Sequence, residues 1–285
     1  MLNSKLSRRN LVAMGSVSMI TSVMATPEGP PILSNPVEVD GEWHAPKRSA
    51  ALVIGRMREA CTSGYRISSD RQPRKICVEN RPSGPPAVWL HQDRPDTAKI
   101  FVDVGERAWS QLAYQFGHEF GHVMCNSWSS DAKPSAPCQW VEEMIVESFS
   151  LRGLSLLAAA WKDAPPFPGD SAYGREIERY RDAAVAQYNG LASSQGLTET
   201  KMWFKHNRQA VEDFVGLSEY AKAGVTVLLP AMMKNPVYLE DLGALNRWLE
   251  RAALPLPEYL DRWSASCRDV GSAGHLPKFI RRLFI

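Results

Sequence analysis

The stretch Trp109-Ser110-Gln111-Leu112-Ala113-Tyr114-Gln115-Phe116-Gly117-His118-Glu119-Phe120-Gly121-His122-Val123-Met124 decides how this chain is read. Trp109, Leu112, Ala113, Phe116, Phe120 and Val123 recur at the three-and-four spacing of one helix face, which predicts a helix from Glu106 to about Cys125. Positions four apart lie one turn from each other on the same face, so His118 and His122 point the same way. Glu119 lies about 100° round from His118. A glycine inside a helix costs about 1 kcal/mol relative to alanine, so Gly121 predicts the close approach of another backbone or helix.

Working outward, a polar loop from Asn126 to Pro137 leads to a second predicted helix, Gln139 to about Trp161. Upstream, Ala51, Leu52, Ile54, Met57 and Ala60 predict a helix over Ser49–Cys61. Ala87–His91 and Lys99–Val104 are short, β-rich and bounded by breakers, which predicts two strands. Pro165, Pro166, Pro168 and Gly169 break the chain. Beyond them, helices are predicted at about 171–192, 206–233, 238–253, 257–267 and 275–284. The expected fold class is α+β. A small mixed part over 47–163 carries the two central helices, and an all-helical part over 164–285 follows.

The chain has 285 residues and a formal charge of +2, from 33 basic and 31 acidic groups. Apolar residues make up 44%, enough for a sizeable core. The balanced charge gives no support for a nucleic-acid partner. The excess is local. Residues 1–25 hold Lys5, Arg8 and Arg9 and no acid, and without them 30 basic groups face 31 acidic ones. A basic start, an apolar Leu11–Ala25 stretch and a small-residue end have the layout of an export signal, too short and too diluted by serine and threonine to span a bilayer comfortably. Ser7-Arg8-Arg9-Asn10-Leu11 resembles the twin-arginine signal, with general secretion as the alternative. The expected location is therefore exported, periplasmic or secreted. Thr26–Pro46 holds five prolines and is expected to be an extended arm.

Five cysteines suit an oxidising destination. Local pairing of Cys61 with Cys77 and of Cys125 with Cys138 is the simplest arrangement. Five buried thiols are the alternative.

His118-Glu119-Phe120-Gly121-His122 matches H-E-x-x-H, in which two histidines bind a zinc ion and the glutamate acts as general base. A catalytic zinc needs a third protein ligand. Cys125 and Trp128 stand where a metzincin would have glycine and histidine, which excludes that class. On the second helix, Glu142, Glu143 and Glu147 lie among Trp140, Val141, Met144, Ile145 and Val146. Acids buried in such company need a partner, and metal ligation supplies one.

With these motifs in hand, the chain resembles the gluzincin group of zinc metallopeptidases over residues 98–155. The resemblance implies a zincin-like fold with Zn2+ bound by His118, His122 and Glu143, and Glu119 as the base. It also implies Glu147 beside a ligand histidine, with Glu142 as the alternative ligand. An edge strand over Lys99–Val104 would hold an extended peptide or protein substrate. Tyr173, Tyr180, Tyr188 and His206 are available to stabilise an oxyanion, without a choice among them. Asp170-Ser171-Ala172-Tyr173-Gly174 resembles the D-x-x-Y-G end of the aspzincin motif and offers another third ligand.

The competing reading is a non-catalytic exported binding protein that retains zinc. The C-terminal stretch Leu276–Ile285 interleaves basic and apolar residues, as a docked terminal helix or an interfacial one would.

Overall fold

A computed structural model of the protein describes residues 37–133, 135–248, 251 and 253–285. The leader and the first eleven residues of the arm lie outside the described residues.

Among the described residues, four strands form one mixed sheet beside a helical layer. The strands are β1 (Val37–Gly41), β2 (Lys75–Asn80), β3 (Ala87–Trp89) and β4 (Thr97–Val102), in the spatial order β1-β2-β4-β3. β1, β2 and β4 run parallel, and β3 pairs antiparallel with β4, Val88 opposite Ile100. Two strands depart from the sequence reading. β1 lies inside the expected arm: no proline falls within Val37–Gly41, and parallel pairing with β2 gives one side of its backbone hydrogen-bond partners. β2 falls where the sequence reading placed no strand, and within it only Ile76, Cys77 and Val78 are apolar.

Asn80 ties the ends of these strands together. Its Nδ2 donates to Glu42 O (2.8 Å) and Val104 O (3.2 Å), and its Oδ1 accepts from Val104 N (3.0 Å).

Helix α1 (Lys47–Thr62) precedes β2, α2 (Trp109–Met124) follows β4, and α3 (Gln139–Asp163) follows the polar loop. α3 is long and apolar enough to cross a membrane by composition alone, but 78% of its apolar window is buried within the protein. It behaves as a core helix, apolar nearly all round. Glycines set its spacing from its neighbours. A Cβ on Gly121 of α2 would lie 2.8 Å from Val146 Cβ, and one on Gly153 of α3 would lie 2.4 Å from Cys61 Sγ on α1. The close approach expected at Gly121 is therefore α3 itself.

After the proline-rich turn come α4 (Gly174–Ser194), α5 (Thr200–Glu212), α6 (Glu219–Lys234), α7 (Leu256–Asp269) and α8 (His275–Phe284). The single helix expected over 206–233 is two helices, broken at Phe214-Val215-Gly216, where Gly216 has a φ of +112°. In place of the helix expected over 238–253, a 3-10 helix covers Pro236–Ala244 and the chain then turns, with Asn246 at a φ of +58°. The apolar core runs unbroken from α1, α2 and α3 into α4, α6, α7 and α8. α8 turns its apolar face inward, where Phe284 packs on Trp140 and Phe204.

None of the five cysteines is bridged, and all five are buried. The local pairs expected from spacing do not form. Cys61 faces α3 at Gly153, and Cys138 Sγ donates to Leu254 O at 3.3 Å. Each thiol is absorbed by packing.

Candidate metal centre

The contact between Gly121 and Val146 positions the site. Val146 lies between Glu143 and Glu147 on α3, and Gly121 lies between Glu119 and His122 on α2. Helices this close bring the imidazoles of one onto the carboxylates of the other.

His118 Nε2 lies 3.4 Å from Glu143 Oε2, and His122 Nε2 lies 3.7 Å from the same oxygen. One donor atom from each of the three residues falls within 4.8 Å of the others. Two ligands about 2.1 Å from a tetrahedral zinc stand about 3.4 Å apart, so these separations suit a shared ion. The buried group His118, His122 and Glu143 could thus hold a metal ion.

The far nitrogens are engaged as well. His118 Nδ1 faces Glu147 Oε2 at 2.8 Å, and His122 Nδ1 faces Glu142 Oε1 at 2.8 Å. Carboxylates in this position fix the tautomer of a ligating histidine and raise its basicity. Glu147 sits beside a candidate ligand histidine, where the sequence reading placed it. Glu142, the alternative ligand of the sequence reading, faces the nitrogen of His122 that points away from the cluster and lies outside the group that could hold a metal ion. Adjacent helix residues point about 100° apart, which separates Glu142 from Glu143.

Further partners hold these carboxylates. Tyr188 Oη on α4 donates to Glu147 Oε1 at 2.7 Å, and Tyr114 Oη on α2 lies 3.0 Å from the same oxygen. Gln139 Nε2 donates to Glu143 Oε1 at 3.1 Å. Asn246 Nδ2 donates to Glu142 Oε2 at 2.7 Å. Sequence reasoning missed Tyr114, Gln139 and Asn246. Tyr114 and Gln139 stand four residues before His118 and Glu143, a helical spacing that could have flagged them. Asn246 is 104 residues from Glu142 and left no such signal.

Burial pushes the His118 imidazole down, but hydrogen bonds to Glu143 and Glu147 outweigh it and lift the group to about 10. His122 is raised in the same way, burial opposing and Glu143 and Glu142 prevailing. Burial pushes Glu143 up, yet the two imidazoles hold it well below the usual carboxylate range. Glu119 moves the other way. Its burial raises it, only partly offset by His118 and His122.

The group opens into a cleft of about 500 Å³. Glu119, His118 and His122 line it, and Pro86, Val88 and Leu217 add apolar lining. The edge strand here is β3. β4, expected to be the edge, is an interior strand paired on both sides.

The other expected donors lie elsewhere. Tyr173 Oη accepts from Ser110 N at 3.2 Å, Tyr180 packs on Tyr114, and His206 is exposed on α5. Tyr188 belongs to Glu147. Asp170 stands beyond the far end of α3, its carbonyl accepting from Trp161 Nε1 at 3.0 Å, and does not join the cluster.

No protein-family model, curated protein or solved structure matches this chain.

Proposed function

We propose that the protein is a zinc-dependent metallopeptidase of zincin-like design, acting on peptide or protein substrates outside the cytoplasm. One observation carries this reading. Three residues of types suited to ligate zinc converge in a cleft, and a fourth residue, Glu119, lies beside them with a raised carboxyl and no place in the ligand set. A purely retentive zinc site has no use for that extra acid.

His118, His122 and Glu143 would hold the ion, which when bound supplies a Lewis acid for the scissile carbonyl and lowers the pKa of a water. Glu147 and Glu142 hold the two imidazoles by their Nδ1 atoms, leaving Nε2 free to ligate. Glu119 takes the proton of the attacking water on its carboxylate and returns it to the leaving amine nitrogen. A carboxyl raised toward neutrality suits both steps. The outer edge of β3, which pairs with no further strand among the described residues, lies beside the cleft and suits an extended substrate, and the basic-then-apolar start of the chain is the reason for an exported setting.

The test combines metal analysis of the mature protein with peptide-library cleavage, with and without a chelator. Glu119→Gln should keep its zinc and lose at least about 100-fold in cleavage rate. A zinc-loaded wild type that cleaves no peptide would leave the non-catalytic binding protein as the answer.

A further inference from the structure

Asn246 lies just past the 3-10 helix Pro236–Ala244, in a chain segment with no catalytic motif. It is 2% exposed. Its φ of +58° is left-handed, a region asparagine adopts more readily than other residues with a side chain, glycine apart. Its amide joins three elements. Nδ2 donates to Glu142 Oε2 (2.7 Å), and Oδ1 accepts from Tyr259 Oη of α7 (3.1 Å). The second amide hydrogen faces Ser127 Oγ (3.1 Å) and Cys125 O (3.3 Å), just past the end of α2.

These partners fix which way the amide points. A carboxylate can only accept, so the nitrogen must face Glu142. Burial pushes the Tyr259 phenol far up, so it keeps its proton and donates to the amide oxygen. Glu142 is 1% exposed. Without Asn246, its Oε2 would lose a short charge-assisted bond that water cannot readily replace. A carboxylate so released could turn away from His122, or toward the position that Glu143 now holds.

We propose that Asn246 is the positioning residue of the His122 ligand, holding Glu142 so that its Oε1 stays on His122 Nδ1, with Tyr259 anchoring the amide from α7. The inference rests on His118, His122 and Glu143 being metal ligands, and not on peptide cleavage. It makes the helical C-terminal region part of the metal centre.

Two variants separate this role from loop stability. Asn246→Gly keeps the left-handed backbone and removes the amide. Asn246→Asp keeps the size and sets a second carboxylate against Glu142. Zinc affinity is read by competition with a chromophoric chelator, and ligand geometry by the visible spectrum of the Co2+-substituted protein. Both variants should keep the wild-type circular dichroism, bind zinc about 10- to 100-fold more weakly and alter the cobalt bands.

The pair Glu142→Gln with Asn246→Asp supplies a rescue. The new glutamine can accept from His122 Nδ1–H and donate to the aspartate, so the pair should regain most of the affinity lost in Asn246→Asp. Unchanged zinc affinity in Asn246→Gly and Asn246→Asp would overturn the proposal, as would a pair no tighter than Asn246→Asp. Should Asn246→Asp not fold, Asn246→Gly and Tyr259→Phe decide by the same readouts. A wild type that binds zinc but cleaves nothing ends the peptidase reading alone, whereas one that binds no zinc ends both.

Discussion

His122 meets Glu142 through its Nδ1 at 2.8 Å, while the next residue along α3, Glu143, faces the opposite nitrogen of the same ring at 3.7 Å. Two adjacent acids thus serve two different edges of one imidazole. Glu143→Ala should therefore abolish zinc binding. Glu142→Ala should retain the metal with an affinity lowered about 10- to 100-fold. Metal analysis after dialysis against a graded chelator series distinguishes the two.

Metal uptake should be coupled to proton release. In the metal-free protein, His118 is raised to about 10, so it carries a proton at neutral pH that a metal must displace. A raised folded pKa contributes stability that is complete below the unfolded value of about 6.5 and is lost as pH rises through about 10. Raising the pH from 6 to 9 should therefore tighten zinc binding and begin to remove that stabilisation of the metal-free protein. The rise in Tm on adding zinc should grow over this range. A rise that shrinks with pH would contradict the arrangement.

Gly121→Ala should destabilise the protein by about 1–3 kcal/mol, because the new Cβ meets Val146 Cβ at 2.8 Å and Val146 Cα at 3.1 Å. Intrinsic helix propensity argues the other way by about 1 kcal/mol, but backbone-to-backbone contact leaves little room to relax. Gly190 of α4 supplies the control, since nothing lies within 4 Å of a Cβ there. Gly190→Ala should stabilise by about 0.5–1 kcal/mol. Urea melts of the two variants read the contrast directly.

The thiols should be silent in the folded state. All five are buried and unbridged, and burial lifts Cys138 and Cys267 to about 12. A thiol reagent should label the protein only after denaturation, and reductant should leave its Tm unchanged. Native-state labelling, or a Tm lowered by reductant, would show otherwise.

The helices around the site were legible because their signals are local. Apolar spacing placed α1, α2 and α3, and the motif named His118, Glu119 and His122. The strands were half legible. β3 and β4 have breakers on both sides, whereas β1 sits in a proline-rich arm and β2 in a polar stretch, and both owe their form to parallel partners far along the chain. The error over the edge strand has the same origin, since strand order is set by long-range pairing. Beyond the prolines, Gly216 and Asn246 interrupt patterns that read as continuous helix, because φ is a property of the folded turn.

That two histidines share a helix face with an acid beside them, and that three more acids sit on an apolar helix downstream, follows from the order of residues alone. Helix geometry alone fixes those relations. Which acid turns to which nitrogen depends on how the helices pack, because the depth at which α2 meets α3 is set by Gly121 against Val146. The supports of the two outer carboxylates depend on packing as well. Tyr188 reaches Glu147 from α4, and Asn246 reaches Glu142 from beyond α6. A buried carboxylate must find its donors wherever the folded chain brings them, and that placement is a property of packing.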